Sequence, residues 1–244
     1  MKRGRGTERI VLWCLALLVA SLCAWAAVWQ YGRGHWKAEY LANWERALER
    51  PARPLAGDDF QRQVAFPEAV TGELLRRSKR WLLLDNQRLG AEVGMHAYAL
   101  YSLAGSAGGS AILIDFGWLP MLPRRQLPAL DPPPPTLHAT GMLLAWPGQG
   151  IALADNPWTQ SDQAVLLTHI DRQEIADQTG LSLAQGVLRL DAGNADPRFT
   201  RVAIALPNTI SPDQHFGYAL QWGGLATTVL IVALVLHVRS RRSE

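Results

Sequence analysis

The stretch Pro212-Asp213-Gln214-His215-Phe216-Gly217-Tyr218-Ala219-Leu220-Gln221-Trp222 opens the last long apolar run of the chain. The run continues to Val238 with no Asp, Glu, Lys or Arg after Asp213. A helix needs about 20 apolar residues to cross roughly 30 Å of hydrocarbon. Residues 213–238 therefore read as a transmembrane helix, with 239–244 as a tail beyond it. His215, Tyr218 and Trp222 stand at i, i+3 and i+7, so a helix carries them on one face. Two readings of that face are open. It is an interfacial aromatic belt with a histidine in it, or it is a ligand site at the membrane surface.

The other end of the chain mirrors this one. Residues 1–9 are basic, and Ile10 to Gly32 contains no charged residue. Ala24-Trp25-Ala26 has the small-x-small form of a signal-peptide cleavage site. The apolar run passes it through Val28, Trp29 and Tyr31, which favours an uncleaved anchor over 10–32. Leu22 before Cys23 is poor for a lipoprotein site. Trp29-Gln30-Tyr31-Gly32-Arg33-Gly34-His35-Trp36-Lys37 then marks the outer interface. Trp29, Arg33 and Lys37 recur every four residues and share a face if the helix continues. The plain reading of the two cations is snorkelling at the membrane edge. In residues 33–50 a helical extension is expected: Leu41, Trp44 and Leu48 are spaced by three and four, and Pro51 and Pro54 end it.

Charge sets the orientation. The net charge is +3, but the tails hold seven cations and two acids, which leaves the remainder at −2. A nucleic-acid groove would put the excess in the folded middle, so no nucleic-acid partner is expected. Two basic tails flanking two apolar runs place both termini in the cytoplasm and the middle outside. The expected location is a bacterial inner membrane, because the N-terminus lacks an organelle transit pattern. Cys14 and Cys23 both lie in the first apolar run, too far apart on one helix to bridge.

The middle, residues 51–212, reads as one mainly β domain outside the membrane. Ala69–Leu75, Trp81–Arg88, Met95–Leu103, Ala111–Trp118, Thr136–Leu144, Ala164–Ile170, Val187–Leu190 and Thr200–Ala205 are short apolar or alternating runs bounded by Gly, Pro, Asn and Asp. Residues 105–110 form a hairpin loop. Asp131 to Pro135 is a stiff extended connector. One short helix interrupts the strands, with Asp171 and Glu174 placed for a capping box and Gly180 to close it. Regularly spaced short strands indicate a barrel or sandwich. The expected fold class is thus α+β: two terminal transmembrane helices around a β domain with one short helix.

No catalytic set is visible in this middle. His96, His138 and His169 are scattered, without Cys, His, Asp or Glu at ligand spacing. Nucleophile-elbow, Walker and HExxH patterns are absent. Asp85 and Asp115 fall in strands and read as edge-facing or hydrogen-bonded. No enzyme activity is expected.

Three blocks of residues carry a family resemblance. Trp29-Gln30 with Arg33 and Lys37 resembles a Trp-Gln-x-x-Arg-x-x-x-Lys pattern after a first helix. Leu83-Leu84-Asp85-Asn86-Gln87-Arg88 through Gly94, with Ile112 to Pro120, resembles central strands ending in a Gly-Trp-Val-Pro turn. Gln214 to Trp222 resembles Asn-His-Leu-x-Tyr-Ala-x-x-Trp before a second helix. In this order, between two anchors, they resemble the surfeit locus protein family of cytochrome c oxidase assembly factors. Two departures stand out. Asp115-Phe116-Gly117-Trp118 takes the place of Asn-Arg-Gly-Trp, so the arginine is missing. Asp213-Gln214 takes the place of Asn-Asn.

The resemblance implies a role in supplying haem a to oxidase subunit I, with His215 as the axial ligand of the haem iron. Haem a synthase, other oxidase assembly factors and membrane lipid are the further partners it suggests. Joined with the residue reading, it gives one expected site. His215 supplies an imidazole nitrogen to iron. Trp29, Tyr218 and Trp222 face the macrocycle. Arg33 and Lys37 meet the propionates. His35 is a candidate second ligand. The alternative is a scaffold that binds oxidase subunits without haem.

Overall fold

The computed structural model describes residues 4–105, 110–122, 127–147, 159–161, 163–191, 193, 196–202, 204 and 210–242. The chain divides into two compact units. One comprises Met1–Asn43 and Ala205–Glu244, the other Trp44–Ile204.

The first unit holds α1 (Gly4–Leu48) as far as Asn43 and the whole of α3 (Pro212–Arg242). Both contain runs long and apolar enough to cross a membrane, within Arg9–Leu48 and Pro212–Arg242. A helix suits that medium because it satisfies its own backbone groups. The pair is antiparallel. Arg9 donates to Ser240 Oγ (2.7 Å), Trp13 Nε1 to His237 Nδ1 (3.3 Å), and His215 Nδ1 lies 2.7 Å from Gln30 Oε1.

The α1 seam follows spacings of three and four. Ala20, Cys23 and Gly34 are buried, with Ala27 and Gln30 half-buried between them. On α3, His215 and Ala226 are the buried positions. Small residues let the backbones approach where no aqueous hydrophobic force joins helices. Gly34 is the clearest case: a Cβ there would lie 2.6 Å from Phe216 Cε1.

Among the described residues, the second unit contains a nine-stranded sheet. Its strands are β1 (Arg53–Pro54), β2 (Glu68–Arg76), β3 (Trp81–Leu89), β4 (Glu92–Leu103), β5 (Ala111–Pro120), β6 (Thr136–Ala145), β7 (Thr159–Gln160), β8 (Ala164–Leu167) and β9 (Leu183–Leu190). Strand order is β1-β2-β6-β9-β5-β4-β3-β8-β7, and β2 also pairs with β4. That extra pairing, Leu74–Arg76 against Tyr101–Leu103, closes β2, β6, β9, β5 and β4 into a five-stranded barrel. The long β4 makes closure possible. Its first half pairs with β3 and its last three residues with β2.

Alternation along β4 and β5 splits their side chains between two cores. Ala97, Ala99, Tyr101, Ile112 and Ile114 join Val70, Leu74, Leu143 and Leu188 inside the barrel. Tyr98, Leu100, Ala111 and Leu113 join Leu82, Val165 and Leu167 on the outer face, which Ile175 of α2 (Arg172–Thr179) helps to cover. Asp171 caps α2 by accepting from Glu174 N (2.8 Å), and Gly180 closes it at φ 68°. The Glu174 carboxylate lies 3.2 Å from His169 Nε2.

The proline run is pinned to the barrel through its carbonyls, since proline only accepts. Trp81 Nε1 donates to Asp131 O (2.8 Å), Tyr101 OH to Pro134 O (2.8 Å), and Arg76 to Pro133 O. The expected strand at Thr200–Ala205 does not form at its start. Thr200 makes only an isolated bridge to Trp118, and residues 203 and 205 lie outside the described residues. Residues 106–109 of the expected hairpin loop also lie outside them.

Near the start of this unit, Arg53 and Arg62 both pair with Asp59 and Glu68 at 2.6–2.7 Å. Burial alone would raise the Asp59 carboxyl. Hydrogen bonds from Arg53, the Ala56 amide and Arg62 instead hold it well below the usual carboxylate range. Arg62 and Arg53 likewise lower Glu68 against the effect of burial. Because both folded-state values lie below the unfolded value near 4, the contribution is fully present above about pH 4 and is lost gradually as pH falls from there through the folded-state values. Asp59→Asn should cost roughly 2 kcal/mol at pH 7, discounted for the part-exposed arginines, and only somewhat less at pH 3, where the folded-state carboxylate is still ionised. Thermal unfolding of the full chain at the two pH values checks this.

Candidate functional site

The two apolar helices meet at one mouth through His215 and Gln30, residues 185 apart in sequence. With the Gln30 amide oxygen as acceptor, Nδ1–H is the donor, which leaves Nε2 of the neutral ring free to take a ligand. This is the arrangement a metal-binding imidazole uses, with its other ring nitrogen donating to a fixed acceptor.

The flanks of the pair differ. On one, Tyr31 and His35 pack edgewise on each other (4.5 Å between centroids), and both pack on Phe216 (5.8 and 5.2 Å). Helical geometry then carries Trp29 and Arg33 of α1, with Tyr218 and Trp222 of α3, to the opposite flank. His35 is thereby separated from the aromatic set with which a second ligand would act.

The face His215–Tyr218–Trp222 is divided. His215 turns into the seam at 8% exposure, while Tyr218 and Trp222 stay outside at 42% and 38%, and Trp29 at 54%. At 1.5 Å per residue, Arg33 lies about 4.5 Å outward of Gln30, and Trp222 about 10 Å inward of His215. Along this flank the order from mouth to interior is therefore cation, imidazole, aromatic.

The two cations do not act as a bare pair. The Arg33 guanidinium lies 4.0 Å from the Trp36 ring centroid and Lys37 Nζ 5.6 Å from that of Tyr40, and the two rings stack at 5.6 Å. Trp36 and Tyr40 support the cations from one turn along the same helix. The i, i+3 spacing of Arg33 with Trp36, and of Lys37 with Tyr40, is the sequence signal that points to them. Gln30 had no such local signal, because its partner is on the other helix.

In the β domain the strands bring together titratable groups that look scattered in sequence. Asp115, 1% exposed, accepts from Gly117 N (2.9 Å) and Arg189 Nε (2.8 Å), and lies 3.3 Å from His96 Nδ1. Burial would raise this carboxyl, but His96 and Arg189 hold it below its usual range. Asp85 caps its own bulge, accepting from Asn86 N (2.7 Å) where Asn86 has φ 57°. Phe116, at the position where the resemblance puts arginine, is buried against Trp81 (4.9 Å, 86°) and Phe199. That position faces the barrel core, so a charged side chain there would lack water. Among the described residues no group of three or more His, Cys, Asp or Glu could hold a metal ion.

Fold and site together define a chain with two apolar terminal helices around a mainly β domain, and with an oriented histidine where the helices meet. The model of the SURF1 family matches residues 17–227, and the chain belongs to that family. The family is associated with cytochrome c oxidase assembly, and it is an assembly-factor family rather than a known enzyme class. No curated protein matches the chain.

Proposed function

We propose that this protein serves cytochrome c oxidase assembly by holding haem a at the mouth of its helix pair and passing it to subunit I. The observation that carries the reading is the 2.7 Å contact between His215 Nδ1 and Gln30 Oε1. It holds the ring by Nδ1, the arrangement in which the Nε2 of a neutral imidazole is available to coordinate iron. The donor set fits an iron porphyrin with a lipid tail. His215 supplies the axial nitrogen. Trp29, Tyr218 and Trp222 offer flat apolar surface beside it, deeper than the imidazole, where a lipid tail also belongs. Arg33 and Lys37, braced on Trp36 and Tyr40, meet propionates at the outer rim. Haem a, when bound, contributes the redox-active iron that the oxidase requires. The protein's own share is to orient, shield and release it, and a single histidine ligand suits release.

In this reading both basic tails are cytoplasmic and the β domain is periplasmic, in a bacterial inner membrane. Haem a synthase stands upstream as the source and subunit I downstream as the acceptor. Other assembly factors and membrane lipid complete the partners.

The test is to purify the full chain in detergent from cells that make haem a. Wild type should carry haem and co-purify with subunit I. A colourless protein that still co-purifies with subunit I would leave only the scaffold role. Replacing Arg33 and Lys37 together by Gln should lower haem occupancy by about tenfold while subunit I is retained. Unchanged occupancy would remove the propionate role.

A further inference from the structure

The opposite end of the helix pair carries a second arrangement that the haem reading does not use. There α1 and α3 leave a groove of about 440 Å³ between them. That size falls within the range of about 300–1,000 Å³ typical of small-molecule sites. Its walls are apolar side chains such as Leu12, Val19, Val232 and Leu236, and its outer end carries Arg9, His237 and Ser240. The polar end is built. Arg9 donates to Ser240 Oγ at 2.7 Å, which keeps the guanidinium at the rim. Trp13 Nε1 donates to His237 Nδ1 at 3.3 Å. An indole N–H can only donate, so Nδ1 accepts and the imidazole proton is on Nε2. This is the reverse of the tautomer at His215. His237 is thus set to donate a hydrogen bond rather than to bind metal. Arg239, Arg241 and Arg242 extend the positive charge around the same end.

We propose that this groove binds one anionic phospholipid. Its acyl chain lies along the apolar walls, and its phosphate meets the Arg9 guanidinium and the His237 Nε2–H. Three features select this occupant. The groove opens where a transmembrane pair reaches the headgroup layer. Arg9 and His237 are donors, and donors match phosphate oxygens. The surrounding charge is positive, which favours an anionic headgroup over a zwitterionic one. The site is separate from the His215 mouth, so it stands or falls independently of haem.

Native mass spectrometry of the full chain in detergent tests it, with phosphatidylglycerol and phosphatidylcholine added in parallel. Wild type should retain one phosphatidylglycerol with about tenfold preference over phosphatidylcholine. Arg9→Gln should remove that preference, while Arg241→Gln, the same charge change outside the groove lining, should keep it. Ala16→Leu, which fills the groove, should lower retention of both lipids. Free sn-glycerol 3-phosphate should not displace the bound lipid. Equal retention of the two lipids by wild type would overturn the proposal. So would equal loss in the two arginine variants, because the charge would then act diffusely. Displacement by glycerol phosphate would overturn it as well, since the site would then recognise free phosphate. Should Arg9→Gln fail to fold, the wild-type preference and the Ala16→Leu loss still decide it.

Discussion

Asp115→Ala is expected to destabilise the β domain by about 3–5 kcal/mol, the range for removing one member of a buried charged set. The carboxylate accepts from Arg189 Nε, and it also serves the Gly117 amide. Gly117 sits at φ 116°, where a Cβ would lie 2.6 Å from Thr200 O, so that amide's position is set by the backbone and cannot shift to find another acceptor. Arg201 shares in the effect. Burial lowers its guanidinium, and the negative charge of Asp115 works against that. Asp115→Asn keeps one acceptor and should cost roughly half as much. Thermal unfolding of the full chain, followed by the near-ultraviolet signal of the barrel tryptophans, measures both. A loss under about 1 kcal/mol for the alanine variant would mean that water replaces the carboxylate at little cost.

His215→Ala is expected to lower haem a retention about 100-fold or more. Gln30→Leu should lower it by about 10–100-fold, the usual cost of losing the group that orients a ligating histidine. Gln30→Glu keeps an acceptor on Nδ1 and should stay within a few-fold of wild type. This last variant separates positioning from packing. If Gln30 merely filled the seam, leucine would serve as well as glutamate. Haem content of the detergent-purified protein, scored by its absorption spectrum, gives the comparison.

Much of this architecture was legible in the residues. Two charge-free runs with basic ends gave two helices. Short apolar or alternating runs between Gly, Pro, Asn and Asp gave the strands from Ala69–Leu75 to Val187–Leu190 to within a few residues. The Asp171 cap and the Gly180 stop were local signals and appear as read. What escaped was long-range. Barrel closure depends on the pairing of Leu74–Arg76 with Tyr101–Leu103, and no local pattern encodes it. The two-residue strands at Arg53 and Thr159 are too short to show a period. The aspartate at 115 acquires its partners from β4 and β9, neighbours that only the sheet supplies.

The site was half legible for the same reason. Helical spacing puts Tyr218 with Trp222, and Trp29 with Arg33, on one face of each helix. It could not say that His215, at the edge of its own face, would turn toward a glutamine on the other helix. A face read from one helix says nothing about which edge its partner covers.

The most direct test of the account is the spectrum of the haem-loaded full chain, wild type against His215→Ala, before and after imidazole is added. The account predicts a histidine-ligated iron spectrum in wild type, its loss in the variant, and its return with free imidazole. An identical spectrum in the two proteins without imidazole would contradict it.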